Sequence, residues 1–234
     1  MKKSFFAICT AVVVGFVWAV ALCVQALSGA QAVSAFDNQM RIVVDAGHGG
    51  IDGGVTGRTT GVKESELNLA IAFQLCDVLQ EMGFDVVMTR KTDAGLYDTT
   101  AKGFKKRDMQ RRKEIILDAE PTLVISVHQN YYPSQTQRGA QVFYGATNEK
   151  SGRLATQIQA QMNKIYGAHG VKNRKETQAD FFILNCAACP SVIVECGFLS
   201  SAKDEALLCS PAWQEKTARA IAAGVAAYLA VGAA

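Results

Sequence analysis

The chain of 234 residues contains three histidines, His48, His128 and His169. Two of them stand where side chains could do chemistry. His48 lies in the glycine-rich stretch 46–54, directly after the apolar run 41–45, and His128 closes the apolar run 123–127. Glu64 opens a stretch of helical periodicity, and Glu195 ends the run 192–195. Two imidazoles and a carboxylate form a zinc set that leaves one coordination position open for water. Water bound to such an ion becomes a nucleophile at neutral pH. The reaction then needs a second carboxylate, off the metal, to take and return the proton. Glu64 and Glu195 supply one carboxylate for each task.

Plainer readings exist for each residue. His48 could cap a turn. Glu64 could be a first-turn glutamate favoured by the helix dipole. Glu195 could be a buried carboxylate paired with an arginine. His128 after five apolar residues, and Glu195 after three, are costly to bury unless they are used. His169 is followed by glycine and reads as a surface loop residue rather than a ligand.

The elements that must position these groups follow from periodicity. Residues 41–45 read as a buried strand running into a tight glycine loop. Leu67, Ile71, Leu75, Val78 and Leu79 recur at helical spacing over 64–82, and Gly83 stops that helix. Residues 84–89 read as a second strand, which makes a β-loop-α-β unit of the kind that builds parallel sheets. A helix over 105–119, a strand over 123–128 and a strand nearer an edge over 140–144 follow. Then come a helix over 148–166, strands over 181–184 and 192–195, and an alanine-rich helix over 213–229. The fold class is α/β: a single domain with a twisted, mostly parallel sheet of about six strands and helices on both faces. In such sheets, sites gather outside the carboxyl ends of the strands.

Composition excludes other classes. The apolar fraction is 49% and the charged fraction 19%, as in an ordinary globular chain plus one greasy segment. The net charge is +3, and outside residues 1–35 it is 22 basic against 21 acidic side chains, which gives no support for a nucleic-acid partner. The glycine loop has neither dinucleotide nor phosphate-loop spacing, so a nucleotide site is not expected. The basic run from Lys102 through Lys105, Lys106, Arg107, Arg111 and Arg112 to Lys113 reads first as a solvated helix face. A sharper reading has part of it touch an acidic peptide or an anionic polymer.

Met1-Lys2-Lys3 precedes an uncharged apolar stretch, 5–27, as in an export signal. Its length approaches the roughly 20 residues that span a bilayer, which favours an uncleaved membrane anchor. Ala30-Gln31-Ala32 nevertheless resembles a cleavage site. Both readings make residues 1–35 a targeting segment and 36–234 a domain exported to the outer face of the membrane or the wall. Of seven cysteines, Cys9 and Cys23 lie in the apolar segment. Cys186-Ala187-Ala188-Cys189 lacks the context of a redox motif and the second CxxC of a four-cysteine zinc site. It reads as packing thiols or one local disulfide.

These residues also carry a family resemblance. Val43-Val44-Asp45-Ala46-Gly47-His48-Gly49-Gly50-Ile51-Asp52-Gly53-Gly54 resembles the opening signature of the zinc-dependent N-acetylmuramoyl-L-alanine amidases of the type 3 catalytic family. Glu64-Ser65-Glu66-Leu67-Asn68-Leu69 resembles that family's second motif. Val87-Met88-Thr89-Arg90 with Thr92-Asp93 resembles its turn after the second strand. Ser126-Val127-His128-Gln129-Asn130 and Val194-Glu195-Cys196-Gly197-Phe198-Leu199-Ser200 resemble its third and closing motifs. The resemblance runs in order from about residue 41 to about residue 230. It implies His48, Glu64 and His128 as zinc ligands and Glu195 as the general base that later protonates the leaving amine. It implies peptidoglycan as substrate, cut between N-acetylmuramic acid and the L-alanine of the stem. Ser65-Glu66, Tyr131-Tyr132 and Cys196 depart from common family residues, but none of them replaces a ligand.

Gly139-Ala140-Gln141-Val142-Phe143-Tyr144 resembles the sporulation-specific members, which strip stems so that muramic-δ-lactam forms in spore cortex. That subgroup implies dependence on an activating protein partner. The competing functional class is a non-catalytic wall-binding or regulatory module on the same fold. Degenerate modules of that kind lose a ligand or the catalytic glutamate, whereas all four residues are present here.

Overall fold

The computed structural model describes residues 40–232. The targeting segment read at 1–35, with Cys9 and Cys23, lies outside the described residues. No helix among the described residues is long and apolar enough to cross a membrane.

β-branched residues build β1 (Arg41–Ala46), which ends in the glycine loop that leads to α1 (Glu64–Glu81). Gly83 at φ 91° closes α1 and turns the chain into β2 (Asp85–Met88). Next come α2 (Phe104–Ala119) and β3 (Leu123–Asn130), then β4 (Gln141–Tyr144) and α3 (Glu149–Gly167). Asn148 caps α3 by accepting a 2.9 Å bond from the Lys150 amide. β5 (Thr177–Gln178), β6 (Ser191–Phe198), α4 (Ala202–Leu208) and α5 (Pro211–Gly232) complete the chain.

The six strands lie in the order β2-β1-β3-β6-β4-β5. β2, β1, β3 and β6 run parallel, and β4 runs antiparallel to β6. The chain leaves β1 toward β2 on one side and returns to β3 on the other. The carboxyl ends of β1 and β3 therefore flank a switch point in the sheet, where α/β folds open a crevice.

Register decides which residues face which helices. Val43, Val124 and Ile193 fall on one face and pack with Ile116 and Ala119 of α2 and with Ile183, Leu184 and Cys186. The opposite face, with Ile42, Val44, Ile125, Val127, Val192 and Val194, is covered by α1 and α3, against which α5 packs. Helices on both faces and a mostly parallel sheet agree with the sequence reading.

Two expectations are corrected. Residues 181–184 are not a strand; Phe182–Asn185 is a 3-10 turn that drives Ile183 and Leu184 into the α2 face. The sixth strand is instead the short polar β5 at the sheet edge. The basic run is not one solvated face either. Arg112 is 1% exposed and buried in ion pairs, whereas Arg111 is exposed and pairs with Glu114 at 2.8 Å. The structure also adds α4, which the sequence reading did not contain. Among the described residues all five cysteines are free, so Cys186 and Cys189 form no local disulfide.

Candidate metal centre

His48 sits two residues beyond β1, and His128 sits near the end of β3. Glu64 is the first residue of α1, and Glu195 lies in β6 as the register partner of His128. Four elements thus deliver the four sequence-predicted residues to one end of the sheet. His48, Glu64 and His128 bring one donor atom each within 4.8 Å of one another. Glu64 Oε1 lies 3.3 Å from His48 Nε2 and 2.9 Å from His128 Nδ1. The two imidazole rings stand nearly perpendicular, with centroids 5.0 Å apart. His169 is elsewhere, on a turn, with its ring edge against Trp213.

This donor set suits a divalent cation. Tetrahedral coordination with bonds of about 2.1 Å needs neighbouring ligand atoms about 3.4 Å apart, close to the separations seen. Glu64 is fixed before any ion arrives. Its Oε2 accepts from the Val55 amide at 2.9 Å, and its Oε1 from the Gln129 amide at 3.1 Å and Asn68 Nδ2 at 3.3 Å. Asp52 Oδ2 lies 3.2 Å from His48 Nδ1, which keeps Nε2 turned to the cluster. Lys105 in turn holds Asp52 at 3.1 Å.

Two glycines permit this crowding. A Cβ on Gly47 would overlap the His128 ring, and one on Gly54 would overlap the Glu64 carboxylate and approach His48. Gly54 also needs its φ of +68°. His48 itself has φ 62°, a conformation that residues bearing a Cβ hold only when their surroundings impose it.

The electrostatics follow from burial and contact. Burial favours the neutral form of Glu64, but hydrogen bonds and charge from His128 and His48 outweigh it and hold the carboxyl well below the usual range. Burial favours neutral His48, and Glu64 and Asp52 outweigh that and raise its pKa. Glu195 is different. Burial pushes it up to about 7, with His128 pulling down and Glu64 pushing up. Its Oε2 is buried and has no hydrogen-bond partner, so the arginine-paired reading is set aside. A carboxyl held near neutrality can take and give a proton at physiological pH.

The His48 and His128 side chains remain 25% and 20% exposed, so an extended substrate can reach them, while Glu64 at 3% is shielded. A cleft of about 340 Å³ opens beside them, walled by Phe104, Met109 and Phe182.

Sequence reasoning assigns no role to Asp52, Asn68 or Arg90, and places Arg112 in the basic helix face. Asp52 follows His48 by four residues inside the glycine loop, a short-range signal that was open to reading. Arg112 follows Asp108 at helical pair spacing, but its other partner, Asp45, lies 67 residues away. Only the fold unites those two.

Comparison with known proteins agrees with this geometry. Residues 42–227 match the family described as N-acetylmuramoyl-L-alanine amidase. The germination-specific N-acetylmuramoyl-L-alanine amidase of Bacillus subtilis is 33% identical over 190 residues, covering 80% of this chain and 78% of that protein. The N-acetylmuramoyl-L-alanine amidase AmiA of Escherichia coli is 30% identical over 231 residues, covering 80% and 75%. The CwlD amidase of Clostridioides difficile, solved in complex with the GerS lipoprotein, superposes with a TM-score of 0.78 at 34% identity. That match covers 82% of this chain and 100% of the solved one.

Proposed function

The chain belongs to the N-acetylmuramoyl-L-alanine amidase family and is a peptidoglycan amidase, and from that premise we propose that it works as a zinc enzyme, with His48, Glu64 and His128 as ligands and Glu195 as the proton carrier. The observation that carries this reading is the contrast between the two glutamates. Glu64 is fully bonded and faces both imidazoles. Glu195, beside them, keeps a buried oxygen without a partner. One carboxylate is built to hold, the other to exchange.

The chemistry supplied by an ion at this cluster is that of a Lewis acid, which makes water nucleophilic near neutral pH. Glu195 takes the proton of the attacking water as the new C–O bond to the lactyl carbonyl forms. It returns that proton to the amide nitrogen as the C–N bond breaks. The products are a free muramic carboxylate and a stem peptide with a free L-alanine amine. Asp52 keeps the His48 ring oriented throughout, and Asn68 does the same for Glu64.

The substrate is assigned more narrowly to spore cortex, where stem removal precedes muramic-δ-lactam formation. Likeness to a germination-specific amidase supports this. Likeness to an amidase solved with a lipoprotein supports an activating protein partner. Residues 36–234 are read as the catalytic domain, and residues 1–35 as the segment that exports it or anchors it in the membrane.

The test incubates the purified, zinc-loaded chain with peptidoglycan and looks by mass spectrometry for released stems bearing a free L-alanine amine. Release by the wild type and its loss in Glu195→Gln is the expected result. Zinc bound without release, from cortex as well as vegetative wall and with or without a partner, would contradict catalysis and favour a wall-binding module. Equal release from vegetative wall and cortex would remove the cortex assignment alone.

A further inference from the structure

Three consecutive carbonyl oxygens, those of Ala46, Gly47 and His48, accept hydrogen bonds from two buried guanidinium groups. Arg112 Nη1 donates to Ala46 O at 2.8 Å, and Arg112 Nη2 donates to His48 O at 2.6 Å. Arg90 Nε donates to Ala46 O at 2.8 Å, and Arg90 Nη2 donates to Gly47 O at 3.0 Å and to Ser65 O at 2.8 Å. The two side chains are 1% and 3% exposed. Arg112 is itself fixed by Asp45 Oδ1 at 2.5 Å and Asp108 Oδ2 at 2.6 Å. Asp45 is fixed in turn by the hydroxyls of Thr89 and Ser126.

We propose that Arg112 and Arg90 are positioning residues for the metal centre: they clamp the main chain on both sides of His48 in its left-handed conformation, so that Nε2 is aimed at Glu64 before an ion binds. The proposal rests on the reading of His48 as a ligand and adds a cause for its geometry. Asp52 sets the rotation of the ring, but it cannot hold the backbone from which the ring projects. That backbone has φ 62° at a residue with a Cβ, a state that surroundings must impose. The planar fork of arginine suits the task. One guanidinium meets two carbonyls and two carboxylates at fixed angles, which a single ammonium cannot do. The clamp also ties Ser65, the residue after the ligand Glu64, to the same guanidinium that holds Gly47. Two of the three ligand-bearing segments are therefore set relative to each other by Arg90.

The decisive variants are Arg112→Lys and Arg90→Lys, which keep the charge and lose the fork. Zinc affinity is measured by chelator competition on protein whose folding is verified by circular dichroism, alongside urea midpoints, kcat and KM. The expected result is zinc affinity weaker by roughly 10- to 100-fold in the folded variants, the range seen when groups behind metal ligands are lost. A fall in kcat at limiting zinc with little change in KM should accompany it. A purely structural role would shift the urea midpoint and leave zinc affinity within about twofold of wild type, and that result overturns the proposal. Should Arg112→Lys fail to fold, Arg90→Lys decides, since Arg90 takes no part in the Asp45 ion pair. His48→Ala separates the two levels. Wild-type zinc affinity in His48→Ala would sink the ligand reading itself, whereas loss of zinc there with tight zinc in both lysine variants sinks only the clamp.

Discussion

His128 and Glu195 are register partners on the neighbouring parallel strands β3 and β6. Partners in a parallel ladder leave the sheet on the same face, so the proposed ligand and the proposed proton carrier emerge side by side from the middle of the sheet. The register shifts just beyond them, between His128 and Asn130. Because both groups are mounted on central strands, their spacing does not depend on loop motion. Glu195→Gln keeps the shape and removes the exchangeable carboxyl. We expect turnover to fall by at least about 10²-fold while zinc content stays at the wild-type level, measured on the same preparation by stem release and elemental analysis.

Asp52 is predicted to matter through His48 alone. Asp52→Ala removes the acceptor at His48 Nδ1 and frees Lys105. Zinc affinity should weaken roughly 10- to 100-fold, with a small change in stability, since Asp52 is only partly buried. Chelator competition with a parallel urea titration separates the two effects.

Gly47 and Gly61 form a matched pair. A Cβ at Gly47 would overlap the His128 ring, whereas one at Gly61 meets nothing within 4 Å. Gly47→Ala should therefore displace His128 and cost zinc binding. Gly61→Ala should cost only the strain of its φ of +76°, about 1–2 kcal/mol, with zinc binding unchanged. Loss of zinc in both variants would count against a local steric cause.

The buried Asp45–Arg112 pair predicts acid sensitivity. Burial alone would raise the Asp45 carboxyl, but Arg112, Ser126 and Thr89 reverse this and bring it to about 2. A carboxyl whose folded pKa lies below its unfolded one contributes stability that is fully present above about 3.9 and is lost as pH falls toward about 2. The contribution is roughly 2 kcal/mol. Urea midpoints taken between pH 6 and pH 2.5 should fall more steeply in the wild type than in Asp45→Asn, which starts less stable.

Much of the site was legible because each key residue breaks an apolar run, opens a helix or closely follows a strand, where the local pattern is strongest. His128 and Glu195 each interrupt an apolar run, and Glu64 begins a clear helical repeat. The errors arose where local pattern and tertiary packing part ways. The apolar run 181–184 carries strand-like composition, yet Ile183 and Leu184 are buried by a 3-10 turn against α2. The strand that takes its place, Thr177–Gln178, is polar and exposed and shows no alternation to read. Arg112 looked like one more cation in a basic stretch, because nothing in local sequence reveals Asp45 across the fold. The arginine clamp on the His48 loop is invisible for the same reason, since its acceptors are main-chain carbonyls that carry no residue signature.

The most direct test of the central claim is zinc stoichiometry measured beside turnover in wild type, His128→Ala and Glu195→Gln. One zinc per chain is expected in the wild type and in Glu195→Gln and little in His128→Ala, with stem release in the wild type alone. Full zinc in His128→Ala, or wild-type turnover in Glu195→Gln, would contradict the division between holding the metal and moving the proton.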